Sequence, residues 1–130
     1  MAWLSLTNVL QLLVGLGLLN VWLVRGRTAT SYRGGAARTL RDEFAAYGLP
    51  SLAYFIVGAL KIGAALVLIA GVFVAMPVRA AAALVTALML GAIAMHIRVG
   101  DPPMKSLPAV LMLAMSVAIV VLRSSPASLP

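Results

Sequence analysis

Six side chains of this chain have types and positions suited to chemistry: Lys61, His96, Glu43, Tyr47, Asp101 and Lys105. Lys61 stands in the middle of an apolar run, 52–73, long enough to cross a bilayer. A charge at that depth costs roughly 2.5–3.5 kcal/mol on insertion scales, so chains keep one mainly where it faces protein or water. His96 is the only histidine, and neutral imidazole both donates and accepts near physiological pH. Lys61, His96 and Tyr47 offer donors to a carbonyl oxygen, and His96 or Glu43 can move a proton. Each residue also has a plainer explanation. The Lys61 stem can snorkel towards a helix end, although it starts from the centre of its segment. A single Glu often caps a helix or faces solvent, and a His at a helix end is more often a hydrogen-bonded structural group. Asp101 before Pro102 is a turn starter.

Other chemistries are excluded or disfavoured. With no cysteine, disulfides, thiolate redox chemistry and cysteine metal sites are ruled out. One histidine and three acids (Asp42, Glu43, Asp101) leave little scope for a metal site within one chain, and none is expected.

The elements that must position these residues are hydrophobic. The chain is 63% apolar and 10% charged, with a mean hydropathy of +1.09. Soluble domains run near half apolar and a quarter charged. Four stretches, 4–24, 52–73, 80–97 and 107–122, have the length and composition of membrane spans. The expected fold is an all-α membrane protein: one domain over 1–130, an antiparallel four-transmembrane-helix bundle with a short amphipathic helix in its first long connection. The first span lacks a basic leader and a small-residue cleavage site, so it is expected to be a retained helix.

A net charge of +7 would suggest nucleic acid for a soluble protein, but cytoplasmic membrane loops are themselves enriched in Lys and Arg. No nucleic-acid partner is expected. The first connection carries Arg25, Arg27, Arg33, Arg38 and Arg41, and the third Arg98 and Lys105; the opposite face has only Arg79 and Arg123. That bias places both long connections in the cytoplasm and both termini outside.

Within the spans, Asn8, Gln11, Gly15 and Trp22 share one stripe, readable as a packing face or as the polar wall of a cavity. Tyr54, Gly58, Lys61 and Ala65 share another, with Gly63 and Gly71 allowing further close contacts; Gly91 suits close packing in the third span. Ala37, Leu40, Phe44 and Tyr47 recur at three- and four-residue steps, which predicts an amphipathic helix over 36–47. Gly48 suits its end and Pro50 the start of the next span. A short turn at Met76-Pro77-Val78-Arg79 forces the second and third spans to be antiparallel neighbours. In such a bundle the six candidate residues converge at one mouth, with Lys61 at its floor, where an ion pair with Glu43 would make the buried charge tolerable.

Four motifs point further: Tyr32-Arg33-Gly34-Gly35; Glu43-Phe44-Ala45-Ala46-Tyr47-Gly48-Leu49-Pro50; Gly58-Ala59-Leu60-Lys61; and Leu90 to Pro102, followed by Lys105-Ser106-Leu107-Pro108. Together they resemble the DoxX-like family of small four-helix membrane proteins, over nearly the whole chain. The resemblance implies an integral protein of the bacterial inner membrane. Family namesakes look like subunits associated with quinone-linked thiosulfate oxidation, and relatives include cargo receptors and receptor chaperones. Three functions compete. One is a redox-associated protein binding a quinone or similar lipid-soluble molecule; whether it is an enzyme is left open. A second is a non-enzymatic assembly or scaffold subunit that holds a partner membrane protein or a second copy of itself. The third, drug-cation transport, is disfavoured because small multidrug transporters depend on an acid in their first helix, and this chain has none there. Membrane lipids are the remaining expected partner.

Overall fold

Prolines and glycines set the helix ends, and the apolar runs between them do the rest. The computed structural model describes residues 5–24, 34, 35, 37 and 39–124. Helix α1 (Leu6–Leu19) continues into a π-helical turn, Asn20–Val24; α2 (Leu40–Ala46) follows, then α3 (Ser51–Ala70) and α4 (Val78–Arg98). A 3-10 turn, Pro103–Ser106, leads into α5 (Leu107–Ser124). Pro50 and Pro77 stand at the N-caps of α3 and α4, and Pro102 at that of the 3-10 turn. Proline has no N–H to leave unpaired there.

Four helical segments, Leu6–Leu23, Ser51–Ala70, Val78–Arg98 and Pro103–Arg123, are long and apolar enough to span a membrane. Helix α1 packs on α3 and α5, and α4 packs on the same two, so the spans close a ring in the order α1, α3, α4, α5. The short α2 lies against α3. Small residues fill the centre: Ala64, Ala65, Ala81, Ala82 and Ala109, with Val14, Leu18, Leu68, Val85, Met89 and Ile119 between them. Larger apolar side chains such as Leu16, Phe55, Leu66, Leu90 and Leu111 point outward. Lipid tails are as apolar as leucine, so hydrophobicity does not sort residues inward here; close backbone approach does.

The spans differ from their sequence-based limits at several ends. Helix α4 starts at Val78 rather than 80, because Pro77 caps it directly and Val78 is buried in the core. Helix α3 ends at Ala70 rather than 73: residues 71–74 turn back on the carbonyls of Val67, Ile69 and Ala70, although they are apolar enough to read as helix. Helix α5 runs on to Ser124, past 122. The amphipathic helix is shorter than 36–47, since the Thr39 hydroxyl accepts the Asp42 N–H at 3.1 Å and starts it at Leu40. Residues 1–4, 25–33, 36, 38 and 125–130, on which parts of the expected helix ends and first connection fall, lie outside the described residues.

Candidate functional site at the α4 end of the bundle

Two helix terminators of one type build the site. Helix α4 ends at Gly100 (φ +73), whose N–H reaches the Ile97 carbonyl at 3.0 Å while the Asp101 N–H reaches the His96 carbonyl at 2.9 Å. This is a Schellman arrangement, in which only glycine takes the left-handed position without strain. It folds Asp101 back onto the side chain of His96. Helix α2 ends likewise at Gly48 (φ +77), with N–H bonds from Gly48 to Ala45 and from Leu49 to Phe44, both 3.0 Å. That cap leaves Tyr47 buried against the end of α4.

Asp101 is the hub. Its carboxylate accepts the His96 Nδ1–H at 2.7 Å and the Gly35 N–H at 3.0 and 3.2 Å. Lys105 stands one turn on; its Nζ is 3.7 Å from Asp101 Oδ1 and donates to the Gly35 carbonyl at 2.7 Å. The His96 and Asp101 side chains are 6% and 5% exposed, so the pair lies out of solvent. Burial would raise the Asp101 carboxyl above its usual 3.8, but the His96 and Gly35 hydrogen bonds and the charges of Lys105 and His96 outweigh it and hold the group below that value. A carboxylate only accepts, so His96 Nδ1 carries a proton, and in the neutral form of the ring the Nε2 lone pair faces the Tyr47 hydroxyl, 3.4 Å away. The result is a carboxylate–imidazole–phenol relay. Gly34 lies flat against the Tyr47 ring, where any Cβ would collide with it.

Beside the relay runs an aromatic wall. Phe44 stands 6.4 Å from Tyr47, 5.7 Å from Tyr54 and 6.0 Å from Trp22, and Trp22 lies 5.1 Å from Tyr54. The Trp22 ring packs on Gly58, and the Lys61 Nζ sits over that ring at 5.5 Å from its centroid. The indole Nε1–H is buried, with no hydrogen-bond partner among the described residues. Leaving such a donor unpaired costs about 1–3 kcal/mol.

The structure therefore joins four of the six candidate residues, His96, Tyr47, Asp101 and Lys105, directly. Among the described residues, ring contacts through Trp22 and Phe44 link Lys61 to them. Glu43 belongs to α2, but its side chain lies outside the described residues, and with it the expected pair with Lys61. Gly35 and Trp22 are the members that sequence reasoning missed. Gly34-Gly35 stands in one of the family-like motifs, but no residue type announces that a peptide group will bind a carboxylate 66 residues away. Trp22 had been placed on the stripe of Asn8, Gln11 and Gly15, which is a packing face at its other end. There Gln11 Nε2 donates to the Leu68 carbonyl at 2.9 Å, Arg123 donates to Gln11 Oε1 at 2.7 Å and to Asn8 Oδ1 at 3.2 Å, and Gly15 abuts Ile69. Gly63 and Gly91, by contrast, have open space where close packing was expected.

The profile of the DoxX-like family matches residues 18–119. The chain belongs to the DoxX-like family. No curated protein and no solved structure matches it. The stretch shared with other DoxX-like proteins takes in Trp22, Gly35, Tyr47, Lys61, His96, Asp101 and Lys105, and leaves Asn8, Gln11 and Arg123 outside. Membership and the four apolar helices make this DoxX-like chain an integral membrane protein.

Proposed function

We propose that this DoxX-like protein binds a lipid-soluble carbonyl compound of the quinone class at the α4 end of its bundle and exchanges a proton with it. The supporting observation is the Asp101–His96–Tyr47 chain. Asp101 orients the imidazole, and the Tyr47 hydroxyl, 3.4 Å from Nε2, would reach a ligand oxygen with His96 behind it as acceptor or donor. The aromatic wall supplies flat apolar surface for a ring. The reading assigns binding and proton exchange to this chain, in a redox-associated role in the bacterial inner membrane, with the 99–106 connection facing the cytoplasm.

A second reading, an assembly or scaffold subunit, is favoured by one feature. Asp101, Lys105 and the Gly35 peptide satisfy one another and clasp the first connection to the third. A binding assay separates the two. Purified protein in lipid nanodiscs is titrated with decyl-benzoquinone, and Tyr47→Phe and His96→Asn are each expected to weaken binding about tenfold, the scale of one lost hydrogen bond in a dry site. Equal binding by all three proteins would refute the relay as a ligand site. No binding by the wild type, with a stoichiometric protein copurifying, would favour the scaffold.

A further inference from the structure

A second polar cluster stands at the opposite end of the bundle, where α1 begins and α5 ends. Arg123, in the last turn of α5, donates from Nε and Nη2 to Gln11 Oε1 at 3.3 and 2.7 Å. Nη2 also donates to Asn8 Oδ1 at 3.2 Å. Both amides are buried, Gln11 completely. The Gln11 amide is held in this orientation because its Nε2 donates to the Leu68 carbonyl at 2.9 Å. That carbonyl is open to it because the Val72 N–H, its regular helical donor, turns to Ile69 instead. A helix C-terminus alone would favour a cation here, but it does not make two buried amides aim their oxygens at it. Nor is Arg123 a simple interfacial anchor. Snorkelling would carry its head group outward, whereas it folds back to Gln11, about 8 Å of helix rise inside the start of α1.

We infer that Arg123 is the head-group site for an anionic phospholipid, whose phosphate oxygens take the guanidinium edge that the two amides leave. Gln11 and Asn8 occupy Nε and Nη2, while Nη1 has no partner among the described residues. Nη1 carries two N–H groups, and the oxygens of a phosphate are charged acceptors suited to both. Amides are neutral, so they orient the guanidinium without cancelling its charge. The acidic side chains of the chain, Asp42, Glu43 and Asp101, belong to α2 and to the connection after α4, at the other end. A half-buried cation between two spanning helices is the arrangement that holds an anionic lipid head. Exposed Leu6, Val9, Val117 and Val121 extend apolar surface along α1 and α5 from this end, which suits the acyl chains. A choline or ethanolamine head would bring an ammonium with no acidic side chain here to receive it. Phosphatidylglycerol is therefore the expected occupant.

This site is independent of the relay at the other mouth. Purified protein in a neutral detergent would be titrated with phosphatidylglycerol, with phosphatidylcholine of the same chains and with inorganic phosphate. Native mass spectrometry reads the bound lipid, and the melting temperature reports on all three. Phosphatidylglycerol is expected to bind about tenfold more tightly than phosphatidylcholine and to raise the melting temperature. Inorganic phosphate at the same concentration is expected to leave it unchanged. Asn8→Asp keeps the shape of the cluster but sets a carboxylate against Arg123. That variant is expected to stay folded and to lose about tenfold in phosphatidylglycerol affinity. Arg123→Lys keeps a charge but lacks the fork that Gln11 and Asn8 hold, and a similar loss is expected. Arg79→Gln removes an exposed cation at the same end and is expected to bind as the wild type does. Wild-type affinity in either Asn8→Asp or Arg123→Lys would overturn the inference. So would an equal loss in Arg79→Gln, which marks general attraction to a basic surface, or equal binding of the two lipids. Equal protection by inorganic phosphate would overturn the lipid as the occupant.

Discussion

Asp101 ties the Gly35 peptide, 66 residues away in sequence, to the end of α4 and to Lys105 one turn on. Its carboxyl is lower in the folded protein than its ordinary 3.8. The stabilisation it gives is therefore complete above that value and is lost as pH falls through the lower folded value. Thermal unfolding in detergent is expected to show a melting temperature that drops as pH is taken from about 6 to about 3, with a smaller drop for Asp101→Asn. At neutral pH the Asn variant should already be about 1–3 kcal/mol less stable, because charge-assisted bonds to His96 and Gly35 are replaced by weaker ones. An Asn variant with wild-type stability and an unchanged acid slope would show that the hub contributes nothing.

At the scale of elements, the helices are held by close approach at particular glycines and not by glycine content. Gly58 carries the Trp22 ring on its surface, and an added Cβ would come within 3.0 Å of two ring carbons. Gly58→Ala is expected to destabilise the α1–α3 contact by about 1–3 kcal/mol, as overpacking does elsewhere. Gly91 faces open space, so Gly91→Ala is expected to be neutral or stabilising by up to about 1 kcal/mol through helix propensity alone. Comparing the two variants by chemical denaturation in one detergent tests this, and a Gly91→Ala loss equal to that of Gly58→Ala would contradict it. The apolar pattern alone does not tell these two glycines apart.

For the whole molecule, the charge bias should fix direction in the membrane. The chain has no cysteine, so single cysteines report position cleanly. A cysteine replacing the exposed Met76, between α3 and α4, is expected to react with an impermeant maleimide added to intact cells; one replacing the exposed Ala45 in α2 should react only after lysis. The opposite pattern would invert the orientation.

The sequence by itself determined the class of object: four spans, their antiparallel order, the amphipathic helix between the first two, the end signal at Gly48, the span entry at Pro50 and the turn around Pro77. Hydrophobic length and breaker residues are local properties, so a chain read one segment at a time reveals them. It also marked His96, Tyr47, Asp101 and Lys105, because polar groups are rare in so apolar a chain. Only the tertiary structure decided which of these meet. It set the Gly35 peptide against Asp101 and put Trp22 between Lys61 and the mouth. Both are contacts between segments distant in sequence, made by a backbone amide and an indole whose residue types carry no charge pattern to betray them.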